Sequence, residues 1–307
     1  MSFSSEIKQE LCRLPIESPC CGRAELAGLV ALCGTLSAES EGGGLRLRTE
    51  NASVAQRAYE LFSTLFSIHP KRIAARKKSD GYIYTLHLHD NQSYVRLMKA
   101  LGFWQNGRTK FCVDPFVIGE SCCRRAFLRG AFLAAGSASS PQKSYHLEIE
   151  THYRDLARDI VQLFADEELE ARSVIRKSNY VIYIKDSEEI ANALTAIGAT
   201  DSALELYSIK VEKHMKNKVN RRVNCETANM TKTANAAALQ IASIHKVMAS
   251  PLSASLPPTM LELAKLRVQN PEASLAELAS QLEVPISKSA VSRRLQKLIA
   301  MAEDITL

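Results

Sequence analysis

The sequence has no long apolar segment. No run reaches the roughly 18 consecutive apolar residues that a membrane-spanning helix needs, although hydrophobic residues make up 46% of the 307 residues. The first residues are polar and acidic, without the basic and apolar regions of a secretory signal peptide. These absences predict a cytoplasmic globular protein that has no membrane partner.

Metal-ligand spacing is also missing. The sequence contains eight cysteines but no C-x-x-C pair and no histidine cluster at ligand spacing. Because cytosolic thiols are normally reduced, disulfides are not expected. We interpret the cysteines as small buried hydrophobic residues and predict no metal site and no cofactor. They form two adjacent pairs, Cys20-Cys21 and Cys122-Cys123, and four scattered positions, Cys12, Cys33, Cys112 and Cys225.

Positive charge is concentrated in one stretch of an otherwise neutral chain. Residues 210–246 hold eight lysines and arginines and two acids, which accounts for the whole net charge of +6. Such a stretch indicates a polyanion as partner. A solvated linker is an equally supported alternative.

An internal repeat spans about one hundred residues. Residues 20–37 and 122–139 are identical at eight of eighteen positions without a gap. Hydrophobic periodicity predicts the same further elements after each copy, so each half reads α-β-α-β-β-α. We expect the two hairpin turns at Asp80-Gly81 and Ser178-Asn179. The predicted strands and helices are 45–48, 53–66, 72–78, 82–89 and 91–101 in the first half, and 145–151, 153–166, 171–177, 180–185 and 187–197 in the second.

Both repeated helices carry small residues along one stripe. Gly28 and Gly130 occupy the same position in the two copies. Glycine inside a helix costs about 1 kcal/mol relative to alanine. Because two helices accept that cost at the same place, we predict that they touch there and form the interface between two pseudo-symmetric halves.

The repeated helices resemble the LAGLIDADG helices of homing endonucleases. The resemblance rests on residues 26–34, LAGLVALCG, and residues 128–136, LRGAFLAAG. It implies that the catalytic, magnesium-binding acids would stand at Cys33 and Ala135. A thiol is a soft ligand that magnesium disfavours, and alanine has no ligand atom.

Displaced acids do not restore the pair. Glu39 and Glu41 lie close to the first helix in sequence, but the second half has no acid before Glu148. We therefore predict no catalytic residues and no enzyme activity. A metal-dependent endonuclease with displaced ligands is kept as a disfavoured alternative.

The whole chain resembles the WhiA family of transcription regulators of sporulation and cell division. The motifs are residues 3–11, 125–136, 220–229 with Lys232 and Gln240, and 287–289. The resemblance implies a role in DNA binding for the asparagine- and arginine-rich segment 220–229. Charge and amide donors suited to phosphates support this role, and asparagines that cap turns are the alternative. The candidate DNA-binding residues there are Asn220, Arg221, Arg222, Asn224, Asn229 and Lys232.

The C-terminal region has the pattern of a helix-turn-helix. A helix over 259–269 precedes a second helix that Ser274 and Glu277 cap by a capping box. A turn at 283–286 leads to a third helix over 288–302, which is basic and has no acid before Glu303. Arginine can read guanine in the major groove, and an ordinary three-helix bundle is the alternative. The candidate DNA-binding residues of the third helix are Lys288, Ser289, Ser292, Arg293, Arg294 and Lys297.

Together these patterns predict an α+β protein with two LAGLIDADG-like halves, followed by an all-α helix-turn-helix domain. The expected bounds are 1–104 and 105–200 for the halves, 201–256 for a basic linker with a helix, and 257–307 for the helix-turn-helix. We expect a sequence-specific transcription regulator associated with the nucleoid, with double-stranded DNA as partner and no small-molecule substrate. An adaptor that binds a sigma factor or another regulator through the front domain is the alternative. We expect the basic residues of the two hairpins either to make a weak contact with DNA or to form a solvated surface. These residues are Lys71, Arg72, Arg76, Lys77, Lys78, Arg172, Arg176 and Lys177.

Overall fold

The chain divides into two compact units. In this computed structural model, residues 2–36, 44–76 and 81–305 are described. The first unit, or front unit, covers Met1–Glu212, and the second covers Lys213–Leu307. The boundary falls inside one long helix, so each unit is described by itself.

The first half of the front unit is a four-stranded antiparallel sheet with helices. Its strand order is β1-β2-β4-β3. Leu45 and Leu47 of β2 are buried while the intervening arginines are not, which is the alternation expected of a strand with one face on a core. Its elements are α1 (Phe3–Cys12), α2 (Pro19–Cys33), β1 (Gly34–Leu36), β2 (Leu45–Thr49), α3 (Ala52–Phe66), β3 (Lys71–Arg76), β4 (Tyr82–Leu88) and α4 (Asn91–Ala100).

The second half repeats this topology. Its sheet has the order β7-β8-β10-β9, which matches the first sheet strand for strand. A two-stranded hairpin of β5 (Trp104–Gln105) and β6 (Arg108–Thr109) precedes it. The elements are α5 (Ser121–Ala135), β7 (Gly136–Ala138), β8 (Leu147–Thr151), α6 (Arg154–Asp166), β9 (Arg172–Arg176), β10 (Asn179–Ile184) and α7 (Ser187–Ile197).

The predicted duplicated α+β fold is confirmed, with additions. The short strands β1 and β7, which directly follow the repeated helices, were not predicted because three residues are too few for an alternating pattern. The second hairpin turns one residue earlier than expected, since Lys177 takes the left-handed conformation with φ 57° and Asn179 already belongs to β10. Some predicted features lie outside the described residues: Glu39, Glu41, Lys77, Lys78 and Asp80.

The two repeated helices pack against each other at the centre of the front unit. Ten residues of α2 are buried, including Glu25 and Gly28. A Cβ on Gly28 would overlap the backbone of α5, with the amide nitrogen of Ala131 at 2.7 Å. A Cβ on Gly130 would in turn meet the backbone of Glu25 and Leu29. Both glycines therefore let two helix backbones approach more closely than any side chain would allow.

The second unit is helical. Helix α8 (Thr200–Met248) begins in the front unit, and no glycine or proline interrupts its sequence. The predicted helix over 231–247 is the last part of this longer helix. A 3-10 turn, Pro251–Ser255, precedes α9 (Pro258–Gln269), α10 (Leu275–Gln281) and α11 (Lys288–Glu303). Among the described residues, no helix is long and apolar enough to span a bilayer.

Candidate nucleic-acid interface

The three C-terminal helices form a capped bundle around their own core. Ser274 begins α10 with a capping box: its hydroxyl accepts from the backbone N–H of Glu277 at 3.2 Å, and the Glu277 carboxylate accepts from the Ser274 N–H at 2.7 Å. The backbone hydrogen bond from Ser274 lowers the pKa of Glu277. The predicted capping box is thus confirmed. Ser287 caps α11 by accepting from the backbone N–H of Ala290 at 3.2 Å.

A buried arginine supports this bundle. The side chain of Arg267 is 1% exposed, and burial lowers its pKa. Its Nε donates to the side-chain oxygen of Gln240 at 2.9 Å, and Nη1 donates to the carbonyl of Ala273. These bonds tie α9 to the end of α8 and to the turn before α10, so they fix how α10 enters the bundle.

Helix α11 separates an apolar face from a cationic one. Val291, Leu295, Leu298 and Ala302 are buried against the other helices. No acid occurs in α11 before Glu303, and within the described part of the chain none of its four cations is in an ion pair. Of the predicted residues on this helix, Ser292 and Arg294 are half-buried, and the others are exposed: Lys288, Ser289, Arg293 and Lys297.

The asparagine- and arginine-rich segment lies in the middle of α8. Every residue over 214–236 is exposed. Because this stretch is helical throughout, its asparagines do not cap turns, and that alternative is wrong. Arg222 donates to Glu226 one turn later at 2.9 Å, a bond between two exposed side chains. The exposed predicted residues here are Asn220, Arg221, Arg222, Asn224, Asn229 and Lys232.

At the C-terminal ends, or feet, of the two repeated helices, the residues that the structure describes include no paired acids. Cys33 ends α2, and its thiol donates to the carbonyl of Leu29 at 3.0 Å. Burial raises the pKa of Cys33 to about 12, so this thiol stays protonated near neutral pH. Ala135 ends α5 and offers no polar atom. A protonated thiol and a methyl group cannot hold magnesium beside a phosphate.

Glu148, the acid nearest to Ala135 along the chain, already interacts with other side chains. The Glu148 carboxylate lies 3.0 Å from Nε2 of His146, and it accepts from Arg176 at 3.3 Å and from Ser137 at 3.3 Å. Burial favours a raised pKa, but the hydrogen bond of His146 and the charge of Arg176 outweigh it and lower the pKa of Glu148. Its charge is thereby balanced by protein groups.

The two sheets carry different charge on the faces turned away from the core. In the first half, Arg46 and Arg48 alternate with buried leucines. Lys71 lies opposite His87, and His87 lies opposite Arg46, so these residues share one face. No carboxylate occurs among the described strand residues on this face. Among the described strand residues, the charged side chains on this face are therefore all basic.

The matching face of the second sheet is balanced. Glu148 and Glu150 occupy the positions that correspond to Arg46 and Arg48, on the strand next to β10. Arg172 and Arg176 lie on the same face through β10. Two carboxylates and two guanidinium groups therefore offset one another on this surface.

A buried carboxylate joins the two halves. Glu25 of α2 is fully buried and accepts from Arg57 of α3, with Nε at 2.7 Å and Nη2 at 3.0 Å. Its second oxygen also accepts from Arg129 of α5 at 2.9 Å. Burial favours a lower pKa for Arg57, but the hydrogen bonds and charge of Glu25 outweigh it and raise that pKa.

The interpretation of every cysteine as a buried hydrophobic residue is wrong. Cys122 and Cys225 are exposed, whereas Cys21 and Cys123 are buried. The two adjacent pairs, which lie 102 positions apart in sequence, also meet in the fold, with all four Sγ atoms within 4.8 Å of one another. Linear spacing misses such a cluster because two helices bring the ligands together.

The fold and the cationic face of α11 define a LAGLIDADG-like scaffold followed by a helix-turn-helix, an arrangement suited to binding DNA. Three family models match consecutive parts of the chain: the WhiA N-terminal LAGLIDADG-like domain at 19–104, the WhiA LAGLIDADG-like domain at 124–216, and the WhiA C-terminal HTH domain at 219–302. The chain belongs to the WhiA family.

Individual relatives agree with this assignment over the full length. The chain is 39% identical to the probable cell division protein WhiA of Alkaliphilus metalliredigens over 311 residues, covering 99% of this chain and 98% of that protein. It is 40% identical to the protein of the same description from Thermoanaerobacter sp. over 313 residues, with the same coverage. The crystal structure of full-length DUF199/WhiA from Thermatoga maritima has 28% sequence identity and a TM-score of 0.62, covering 100% of both chains.

Proposed function

We propose that this protein is a sequence-specific transcription regulator that binds double-stranded DNA through helix α11. The observation that carries the proposal is the cationic face of α11, which is exposed and contains no acid before Glu303. The N-terminus of α11 adds backbone N–H groups and a positive dipole end that favour phosphate. By analogy with its relatives, which are described as probable cell division proteins, its target genes belong to cell division.

The segment 220–229 supplies further contacts. It is an exposed helix with guanidinium and amide groups on all sides, and such a helix gains little from packing within its own chain. Phosphate oxygens accept from both groups. We infer that these residues set affinity and that α11 sets sequence preference.

A double variant tests the role of α11. Arg293→Ala with Lys297→Ala removes two exposed cations from the outer face without touching the buried residues. Lys265→Ala is the matched control, since Lys265 is an exposed cation on α9. Binding is measured by fluorescence anisotropy on fragments recovered by genome-wide mapping of bound sites. A base-reading arginine contributes about 1–3 kcal/mol, so the double variant loses roughly tenfold or more in affinity while the control changes little. Equal affinity of the double variant and the control would refute the role of α11.

The charge difference between the sheets predicts an asymmetric DNA contact by the front unit. Arg48→Ala with Lys71→Ala removes cations from the first sheet, and Arg172→Ala with Arg176→Ala is the matched pair on the balanced second sheet. If only the first sheet meets phosphates, the first variant lowers the slope of log affinity against log salt by about 0.9 per contact and the second leaves it unchanged. Identical slopes for wild type and the first variant would show that this sheet stays off DNA.

A protein partner for the second half is a further candidate. Strand β9 lies at the edge of its sheet and exposes Val174 and Ile175, which are 44% and 66% exposed. An apolar edge strand is a surface on which another protein can add a strand. We propose a sigma factor or another regulator as this partner. Retention of RNA polymerase holoenzyme by the full-length protein, but not by its Ile175→Lys variant, would support this partner. If neither protein retains the holoenzyme, the proposed partner is ruled out.

The proposal also covers the absence of DNA cleavage and the location of the protein in the cell. We infer that the protein does not cleave DNA, because the helix feet carry Cys33 and Ala135 in place of acids. Plasmid nicking in Mg²⁺ or Mn²⁺ by purified protein would overturn this inference. We propose association with the nucleoid, which fluorescence of a tagged full-length chain tests directly.

A further inference from the structure

Four thiols meet where the two halves of the front unit join. Cys20 and Cys21 are the second and third residues of α2, and Cys122 and Cys123 hold the same two places in α5. All four Sγ atoms lie within 4.8 Å of one another, and those of Cys122 and Cys123 are 4.0 Å apart. The pseudo-symmetry of the fold thus produces a closed group of four soft ligands, two from each half.

The spacing of these thiols fits a tetrahedral metal ion. Zinc–sulfur bonds of about 2.3 Å place the four sulfurs of a tetrahedral site about 3.8 Å apart. The observed group needs a contraction of at most about 1 Å to reach this size, which rotation about the Cα–Cβ bonds can supply. A shell of four cysteine thiolates leaves no open position, as is typical of structural rather than catalytic zinc.

Two features beside the cluster favour negatively charged sulfur. Both helices begin at the cluster, and each helix N-terminus carries the equivalent of about half a positive charge. The hydroxyl of Ser18, which caps α2, lies 3.2 Å from the sulfur of Cys20. These groups oppose the net charge of −2 that four thiolates and one divalent cation carry together.

The position of the cluster distinguishes it from the catalytic feet of the nuclease fold. Cys21 and Cys33 are separated by twelve residues of α2, or about 18 Å of helix at 1.5 Å per residue. The cluster therefore lies at the opposite end of the paired helices from Cys33 and Ala135. Packing in the core does not account for the four-cysteine cluster either, since Cys122 is exposed and Cys20 is half-buried.

We propose that these four cysteines bind one thiophilic divalent cation, of which Zn²⁺ is the best match, and that the ion clamps the two halves together. On binding, four sulfur–metal bonds form and the thiol protons pass to the solvent. The ion stabilises the front unit because it crosslinks α2 and α5 at the end where the glycine contact does not hold them.

Metal binding is tested on the reduced, full-length protein without any mutation. Co²⁺ alone is added under anaerobic conditions, and the absorption spectrum reports thiolate-to-cobalt charge transfer and tetrahedral coordination. Zn²⁺ is then titrated until the cobalt bands disappear. We expect saturation at one equivalent of metal per chain. A spectrum without charge-transfer bands would overturn the proposal, and so would recovery of the cluster as disulfides from anaerobically purified protein.

Variants assign the site. Cys20→Ser with Cys122→Ser removes the two more accessible ligands and keeps the buried pair, and Cys112→Ser with Cys225→Ser is the control with the same number of thiols removed. The control binds one equivalent, whereas the first variant loses the cobalt bands and the rise in unfolding temperature that Zn²⁺ gives the wild type. Bands that persist in the first variant would place the metal elsewhere and refute the assignment. The wild-type spectrum tests metal binding without any substitution. The proposal can therefore be refuted even if a variant fails to fold.

Discussion

Replacing Glu25 by glutamine should destabilise the front unit more than any exchange of a surface charge. The Glu25 carboxylate accepts from two arginines, and its side chain is 1% exposed. Arg57 is 4% exposed and Arg129 is 15% exposed. The variant keeps the shape of the side chain but leaves a charged, buried guanidinium facing a neutral amide.

The size of the effect follows from the burial of the pair. Removing one partner of a buried ion pair costs about 3–5 kcal/mol, because the remaining charge stays desolvated and uncompensated. For a unit of this size, 1 kcal/mol shifts the unfolding temperature by about 2–4 °C. We expect Glu25→Gln to lower the unfolding temperature of the front unit by roughly 6–20 °C.

Circular dichroism during heating and denaturant titration measure this loss. Glu188→Gln is the matched control, since Glu188 pairs with Lys210 at 2.8 Å but is 68% exposed. Exposed ion pairs contribute about 0–1 kcal/mol, so the control should shift little. A double variant, Glu25→Leu with Arg57→Met, should recover part of the loss because it removes Arg57, the more deeply buried of the two arginines that lose their partner. If Glu25→Gln costs no more than the control, the carboxylate does not hold the halves together.

Three further results are expected. Gly28→Ala should cost about 1–3 kcal/mol in a denaturant titration because its Cβ overlaps the backbone of α5, whereas Gly119→Ala, with its nearest atom at 3.6 Å, should cost little. Burial favours a raised pKa for Glu167, but hydrogen bonds led by that of Arg125 lower it. The stability advantage of wild type over Glu167→Gln should therefore be complete above the ordinary carboxyl pKa of about 4.3 and disappear as the pH falls through the lower folded value. Ser274→Ala should cost about 1 kcal/mol and speed amide hydrogen exchange in α10, with the front unit unchanged.

Local patterns were sufficient to predict most helices and strands. The alternation of Leu45 and Leu47 with arginines identifies β2, and apolar spacing gives the bounds of α7 at Ser187–Ile197. These signals depend on neighbours within a few residues, so a single sequence contains them. The sequence also contained an unused signal for α1, since Phe3, Ile7 and Leu11 recur every four residues and are buried.

Contacts between distant residues could not be predicted in the same way. The partners of Glu25 lie 32 and 104 residues away. Arg129 stands in the second repeated motif, but no local pattern pairs either arginine with Glu25. The charge difference between the two sheets depends on which strands are neighbours, which the topology decides. The meeting of the adjacent cysteine pairs likewise depends on two helices starting side by side.

In the front unit, the residues that hold the two paired helices together are distinct from the residues at the helix feet. The close contact of α2 and α5 requires Gly28 and Gly130, and the link between halves requires Glu25. None of these groups lies at the helix feet, which are formed by Cys33 and Ala135. A charged group at the half-buried foot of α2 carries a desolvation cost, as the raised pKa of Cys33 indicates. A neutral foot avoids that cost and leaves the close contact of α2 and α5 unchanged, so the residue at the foot can vary independently of the packing of the helices.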